Sequence, residues 1–339
     1  MKRIWIALGL TLVSVSTVLA VKPPSGSDTG SGRVFFPNPV QQLGDESLTD
    51  QKDADYAALQ PAYRTVTLRD LDGSGFLRGK WANIVSETGN PAYSPTNTFD
   101  FNRSQDEFEQ VMAYYWITES QRYIQRLGFG VPGGRRPVNM ESQDVRINQW
   151  GADNSFQTNH PKDEMRFGKG GVDDAEDAEV VLHEYGHAIQ DAQVPNFGAS
   201  LEAGSIGEGF GDYWAVTVTQ TVSGPGALND PACVADWDAV SYTRGPVHCL
   251  RRLDNDKHYP ADVIGEVHAD GELWSRALWD IRGALGGTKA DTIILESHFS
   301  FAPDTTFSAA AATTVATAQR LYGTSAATAV AAAFADRGF

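Results

Sequence analysis

Residues 179–212 read EVVLHEYGHAIQDAQVPNFGASLEAGSIGEGFGD, and their spacing decides how the rest of the chain is read. A helix turns about 100° per residue, so side chains four positions apart share a face. His183 and His187 therefore point the same way, as two imidazoles on one metal ion must. Glu184 sits one step round the helix, able to reach a metal's water without ligating the metal. Histidine is scarce, seven in 339 residues, and with that composition a chance HExxH would arise in roughly one such chain in a hundred or fewer. Ala178, Val181, Leu182, Tyr185, Ala188 and Ile189 recur at i, i+3, i+4 spacing. One face of the helix is thus buried and another carries the ligands.

A metal centre that does chemistry takes three protein ligands and keeps a position open for water. Two details nominate Glu208 as the third. It lies 21 residues after His187, room for a helix end, a loop and the next helix, and it sits inside the otherwise apolar GEGFGDYWA. Asp212 falls one turn beyond it, placed to accept the outer N–H of a ligand histidine. In such a site Glu184 takes a proton from the attacking water and passes it to the leaving group. The developing oxyanion needs a further donor, and His268, in GEVHADGELW, is the best placed by sequence. Its orienting carboxylate is either Asp262 or Glu266. His160, His248, His258 and His298 read as surface or structural.

The net charge of −16 argues against nucleic acid or an anionic membrane as a partner, and the surplus carboxylates are candidate calcium ligands. Residues 1–20, MKRIWIALGLTLVSVSTVLA, have a basic start, a short apolar run and small residues at Val18 and Ala20. This is the pattern of a secretory signal peptide. No later stretch is apolar enough to span a bilayer, so an exported monomer without stable membrane insertion is expected. In that setting Cys233 and Cys249 are expected to form one disulfide.

Taken in order, residues 21–60 are rich in Gly, Ser, Pro, Asp and Gln and read as a flexible lead-in or short pro-segment. TVTLRDL, GFLRGKWANIV and NTFDF read as strands, and DLDGSG as an ordinary turn, since Trp81 stands where a calcium loop needs Glu. A long amphipathic helix is expected over 104–127, capped by Ser104, its aromatics Phe108, Tyr115, Trp116 and Tyr123 facing the core. Strands follow over 137–158 and 165–171, and DDAED (173–177) opens the metal helix. Later helices are expected after Ser205, over about 270–285, and as two Ala-rich helices from about 305 parted at Gly323. Strands first and helices after predict an α+β fold: an N-terminal lobe over 61–195 holding the metal helix, then a helical lobe over 196–339, the metal helix at the seam.

HEYGH, EAGSIGEGFGD, VHADGELW, the closing AFADRGF and FEQVMAYYWI together resemble the fungalysin family of secreted zinc metallopeptidases and, more distantly, thermolysin and its relatives. The likeness runs in motif order from about residue 65 to the C-terminus. It implies a two-lobed thermolysin-like fold with one catalytic zinc on His183, His187 and Glu208. It implies Glu184 as base, Asp212 behind a ligand and His268 as transition-state donor. It further implies that Asn154 and Arg251 hold substrate backbone groups. Val180 and Leu250 match an apolar pocket for the residue after the scissile bond, favouring a bulky apolar side chain there. The loop VPNFGAS carries no tyrosine where the thermolysin pattern has one, which leaves the oxyanion to zinc and His268.

The function expected is therefore a secreted zinc endopeptidase acting on proteins or peptides through metal-activated water. The alternative is an exported, non-catalytic binding protein that keeps zinc structurally. Glu184 argues against it, because a structural site closes its fourth position and has no use for a base. An aminopeptidase would need a residue cluster for a free amino group, and none is assignable.

Overall fold

The computed structural model describes residues 27–85, 89–224 and 226–339, so the signal-peptide reading of residues 1–20 lies outside the described residues. The chain opens with β1 (Gly30–Phe35), the short helix α1 (Pro39–Leu43), β2 (Tyr63–Leu68), β3 (Ala82–Ile84) and β4 (Thr98–Phe99). The long helix α2 (Asp106–Arg126) follows, then β5 (Gln143–Arg146), β6 (Phe156–Thr158) and β7 (Glu164–Arg166). Next come α3 (Ala178–Gln193), α4 (Leu201–Ser223), β8 (Cys233–Val234), β9 (Arg251–Arg252), α5 (Val267–Leu285), α6 (Gly287–His298), α7 (Phe307–Tyr322) and α8 (Thr324–Asp336).

Two small sheets carry the first half. One has the order β2-β1-β4; the other has the order β3-β5-β7-β6, parallel except for β6, which runs antiparallel along β7 and forms the edge. Helix α2 packs against β1, β3 and α3, burying Phe108, Met112, Trp116 and Ile124 completely. The predicted metal helix is α3, and all six residues of its apolar stripe are fully buried. Asp177 caps it by accepting from the Glu179 N–H, and Pro195 follows its last turn. The remaining helices pack in sequence, α3 on α4, α4 on α5 and α5 on α8. The architecture is the α+β arrangement expected, strands before helices.

Of the expected flexible lead-in over 21–60, the described residues 27–60 depart from that reading. From residue 30 they supply β1, the central strand of its sheet, and Val34, Phe35, Val40, Leu48 and Leu59 are buried. Their polar composition serves buried bonding rather than solvent. Asn38, fully buried, donates to both oxygens of the α3 cap Asp177, and Gln41 donates to the Asp230 carbonyl. Arg103, buried on Glu176, also donates to the carbonyl of Ala54 and the carboxylate of Asp50.

Several boundaries also move. Ser104 does not cap α2, since its hydroxyl donates to Asn102 and the cap position falls on Gln105. Helix α4 starts at Leu201, capped by Ser200, a turn before the expected Ser205. Helix α5 starts at Val267, capped by Glu266, rather than at Asp270. Helix α6, GTKADTIILESH, is not anticipated by the sequence reading. The DLDGSG turn is ordinary, with Asp70 accepting from the Trp81 indole.

Candidate active site

The site forms where α3 and α4 cross, and glycines set the distance. A Cβ on Gly186 would lie 2.9 Å from the Gly211 Cα, and one on Gly211 would lie 2.7 Å from Nδ1 of His183. Real Cβ atoms do not approach so closely, so the two backbones meet only because both positions are glycine. That approach brings Glu208 of α4 to the imidazoles of α3. One ligand atom from each of His183, His187 and Glu208 falls within 4.8 Å of the other two. Nε2 of His183 lies 3.2 Å from Nε2 of His187 and 3.1 Å from Oε2 of Glu208, and Oε1 of Glu208 lies 3.6 Å from Nε2 of His187.

Two nitrogens and one carboxylate converging in this way fit zinc, which takes such mixed sets at about 2 Å from each donor. Behind them stands a relay of charge. Nδ1 of His183 is 2.9 Å from Oδ1 of Asp212, which fixes the tautomer that leaves Nε2 free for a metal. Arg251 then grips Asp212 through Nε at 2.6 Å and a terminal nitrogen at 2.7 Å. Burial alone would raise Asp212, but Arg251 and His183 outweigh it and hold the carboxyl down at about 2. Burial works against a charged His183, yet the Asp212 and Glu208 carboxylates raise it to about 10. Burial lowers His187 to about 4.

Glu184 is 6% exposed, and its Oε2 is buried with no hydrogen-bond partner. Burial pushes this carboxyl up to about 7, with His183 and the Gln157 backbone pulling the other way. A carboxylate so placed can both accept and return a proton near neutrality. His268 is half-exposed, its Nε2 3.4 Å from Oε2 of Glu208 and its Nδ1 2.6 Å from Glu266. The choice between Asp262 and Glu266 thus falls on Glu266, which also caps α5 by accepting from the His268 and Ala269 N–H groups. Asp262 instead accepts from the His258 N–H.

An open groove of about 720 Å³ runs past these groups, lined among others by Asn154, Phe156, Glu184, Phe197 and His268. One wall is the edge strand β6, and Phe197 stands in the loop where the thermolysin pattern has a tyrosine. A second cavity of about 190 Å³ opens off the same groups, sharing Asn154, His183, Glu184 and His268. Val180 and Leu250 both line it, as expected, but so do Asp174, Glu179 and Asp238, which the sequence reading did not single out. Asp174 and Asp238 are 64 positions apart, and no local pattern joins them. Together with Asp153 they form a second convergent trio, its oxygens also within 4.8 Å of one another. Arg251 lines this cavity while bound to Asp212. Cys233 and Cys249 form the expected disulfide, tying β8 to the segment before β9.

Comparisons with known proteins bear on the family and the fold. The model of the fungalysin metallopeptidase family matches residues 94–339. An extracellular metalloproteinase of Aspergillus niger is 30% identical over 120 residues, 31% of this chain and 18% of its own length. Extracellular metalloproteinase 3 of Trichophyton tonsurans is 26% identical over 235 residues, 59% of this chain and 35% of its own. The chain thus spans about a third or less of the length of these relatives. Among solved structures, the precursor of protealysin, a metalloproteinase from Serratia proteamaculans, superposes with a TM-score of 0.51 at 18% identity. That match covers 68% of this chain and 78% of that one, and it speaks to the fold.

Proposed function

The chain belongs to the fungalysin metallopeptidase family, and from that premise we propose that it is a secreted zinc endopeptidase in which His183, His187 and Glu208 hold one catalytic ion. The observation that carries the reading is Glu184, a buried carboxyl with an unpartnered oxygen beside the three converging ligands. A structural zinc site has no use for such a group, and this disfavours the non-catalytic alternative.

Zinc, when bound, polarises the scissile carbonyl and lowers the pKa of a water to about 7. Glu184 accepts the proton of the attacking water and returns it to the departing amine. His268, steadied by Glu266, donates to the oxyanion. Asp212 acts as a positioning residue by holding the His183 ring and is itself gripped by Arg251, which also lines the 190 Å³ cavity, where the resemblance has it hold a substrate backbone group. The edge strand β6 borders the groove, so an extended peptide can add to it as a further strand, with Asn154 two residues before it. The side chain after the scissile bond enters the 190 Å³ cavity, where Val180 and Leu250 favour a bulky, apolar-bodied group. Protein or peptide substrates follow from this groove. Secretion is supported by the residue 1–20 pattern and by relatives named as extracellular. No helix among the described residues is long and apolar enough to cross a membrane.

The test is Glu184→Gln in the full chain. It is expected to retain about one zinc per chain by elemental analysis and to lose casein cleavage by about 10²–10⁴-fold. In the wild type a chelator should stop cleavage and added zinc restore it. A variant that binds zinc and cuts as fast as wild type would overturn the assignment.

A further inference from the structure

The cavity beside the scissile position has the wrong lining for a purely apolar side chain. Asp174 is 2% exposed and Asp238 4%, both line the cavity, and each has a buried Oδ1 with no hydrogen-bond partner. The other acid of the lining, Glu179, is occupied, accepting from the Thr219 hydroxyl and the Ala235 N–H. Ser155 donates to the second oxygen of Asp174, and Tyr242 to one oxygen of Asp153, so hydroxyls orient these carboxylates without neutralising them. The arginine that lines the cavity, Arg251, is paired with Asp212; its charge favours the Asp238 carboxylate, but burial and the neighbouring acids Asp174, Asp153 and Asp177 outweigh it. Burying an uncompensated carboxylate costs several kcal/mol. Burial accordingly pushes Asp174 up to about 7 and Asp238 well above its ordinary value. Apolar residues at both positions would make a better hydrophobic pocket and a more stable protein, so the arrangement is explained by a cation that arrives from outside.

The shape says which cation. The cavity holds about 190 Å³, far more than one ion, and it opens at His183, Glu184 and His268. Its walls include Val180, Val234 and Leu250. A lining that is part aliphatic and part acidic suits a side chain with a methylene stem and a charged head, the stem against the aliphatic groups and the head between the carboxylates. We propose that this cavity selects lysine or arginine as the residue after the scissile bond, with Asp174 and Asp238 as the specificity-determining pair. The proposal rests on the peptidase reading above and replaces the apolar preference expected from the resemblance with a basic one.

The experiment is a peptide library varied only at the position after the scissile bond, cut by the wild type, by Asp238→Leu and by Asp174→Leu. The wild type should cleave before Lys or Arg with kcat/KM on the order of tenfold or more above that for Leu. Each variant should lose that advantage by on the order of tenfold or more, while cleavage before Leu is kept or improved. The wild-type profile decides the matter even if a variant fails to fold. A wild-type preference for Leu over Lys overturns the proposal and leaves the peptidase assignment standing. So does calcium bound by the wild type and lost in Asp238→Asn, with no preference for basic residues. Failure to cut any library peptide, with zinc bound, would remove the peptidase reading itself.

Discussion

Asp212 never reaches a metal, yet the imidazole of His183 is held by it at 2.9 Å and it is held in turn by Arg251. Replacing it with asparagine keeps the shape and removes the charge. Zinc affinity is expected to fall about 10–100-fold, since outer partners of ligand histidines carry that much. Stability should also fall, by about 3 kcal/mol, because the Arg251 guanidinium would stay buried without its carboxylate. A chelator-competition titration and a thermal melt check the two effects, and an unchanged zinc affinity would refute the relay. At this scale the sequence was informative where chemistry is local. His183, Glu184 and His187 follow from one helical turn, and Glu208 and Asp212 from the next helix. Glu266 could not be separated from Asp262 without the α5 cap that uses its carboxylate. Asp174 and Asp238 meet only through the tertiary fold, so nothing near either one marks it.

Helix α4 shows how an element can be poor by propensity and still be required. It carries Gly204, Gly207, Gly209 and Gly211 in its N-terminal half, at a cost of about 1 kcal/mol each relative to alanine. The cost is offset by approach. A Cβ on Gly209 would lie 2.4 Å from the Gly271 carbonyl oxygen of α5, and one on Gly211 would press on the His183 ring. The glycines therefore bring α3, α4 and α5 close enough for side chains from all three to share one centre. Gly211→Ala is expected to push the His183 ring off Asp212 and to reduce zinc binding at least tenfold, the range of a lost outer partner. Gly204→Ala meets only a methyl of Val267, at 3.1 Å and away from the ligand side chains, and should leave zinc binding near wild type. Equilibrium dialysis of both variants checks this, and equal zinc affinity in the two would defeat the packing argument. Element existence was largely legible because α2, α3 and α5 repeat apolar residues at helical spacing. Their starts were not, because Ser200 and Glu266 act as caps through side-chain bonds that a search for apolar onset overlooks.

Over the whole molecule, the departure at residues 27–60 and the buried acids belong together. The segment reads as polar because its polar groups face inward, Asn38 onto Asp177 and Asp50 onto Arg103 beside Glu176. Around the start of α3 the fold collects Asp173, Asp174, Glu176, Asp177, Glu179, Asp236 and Asp238, all at most 5% exposed. Burial is the leading cause that raises every one of them, Asp173 and Asp174 to about 7, Glu176 and Glu179 to about 8, Asp177 to about 6. The folded chain then keeps protons that the unfolded chain releases near pH 4. Since the native state binds more protons, stability falls as pH rises, until the raised groups have ionised near pH 8. Other groups pull the opposite way only lower down. His187 and His298, depressed to about 4 and 3, add stability as pH rises towards 6.5 and are silent above it. The depressed Asp212 loses its contribution only as pH falls towards about 2. The window from pH 6.5 to 8.5 lies above those groups, and zinc on His183, raised to about 10 without the ion, removes the one histidine proton that would add to the decline there. With zinc saturating and ionic strength fixed, the unfolding midpoint should decline across it by several degrees. Asp236 has a buried Oδ1 without a partner, so Asp236→Asn removes one ionisation. That variant should flatten the decline and gain about 1–2 kcal/mol at pH 8. Melts at four or five pH values across the window would test both, and a midpoint that rises with pH would show that these carboxylates are ionised and compensated in the folded chain.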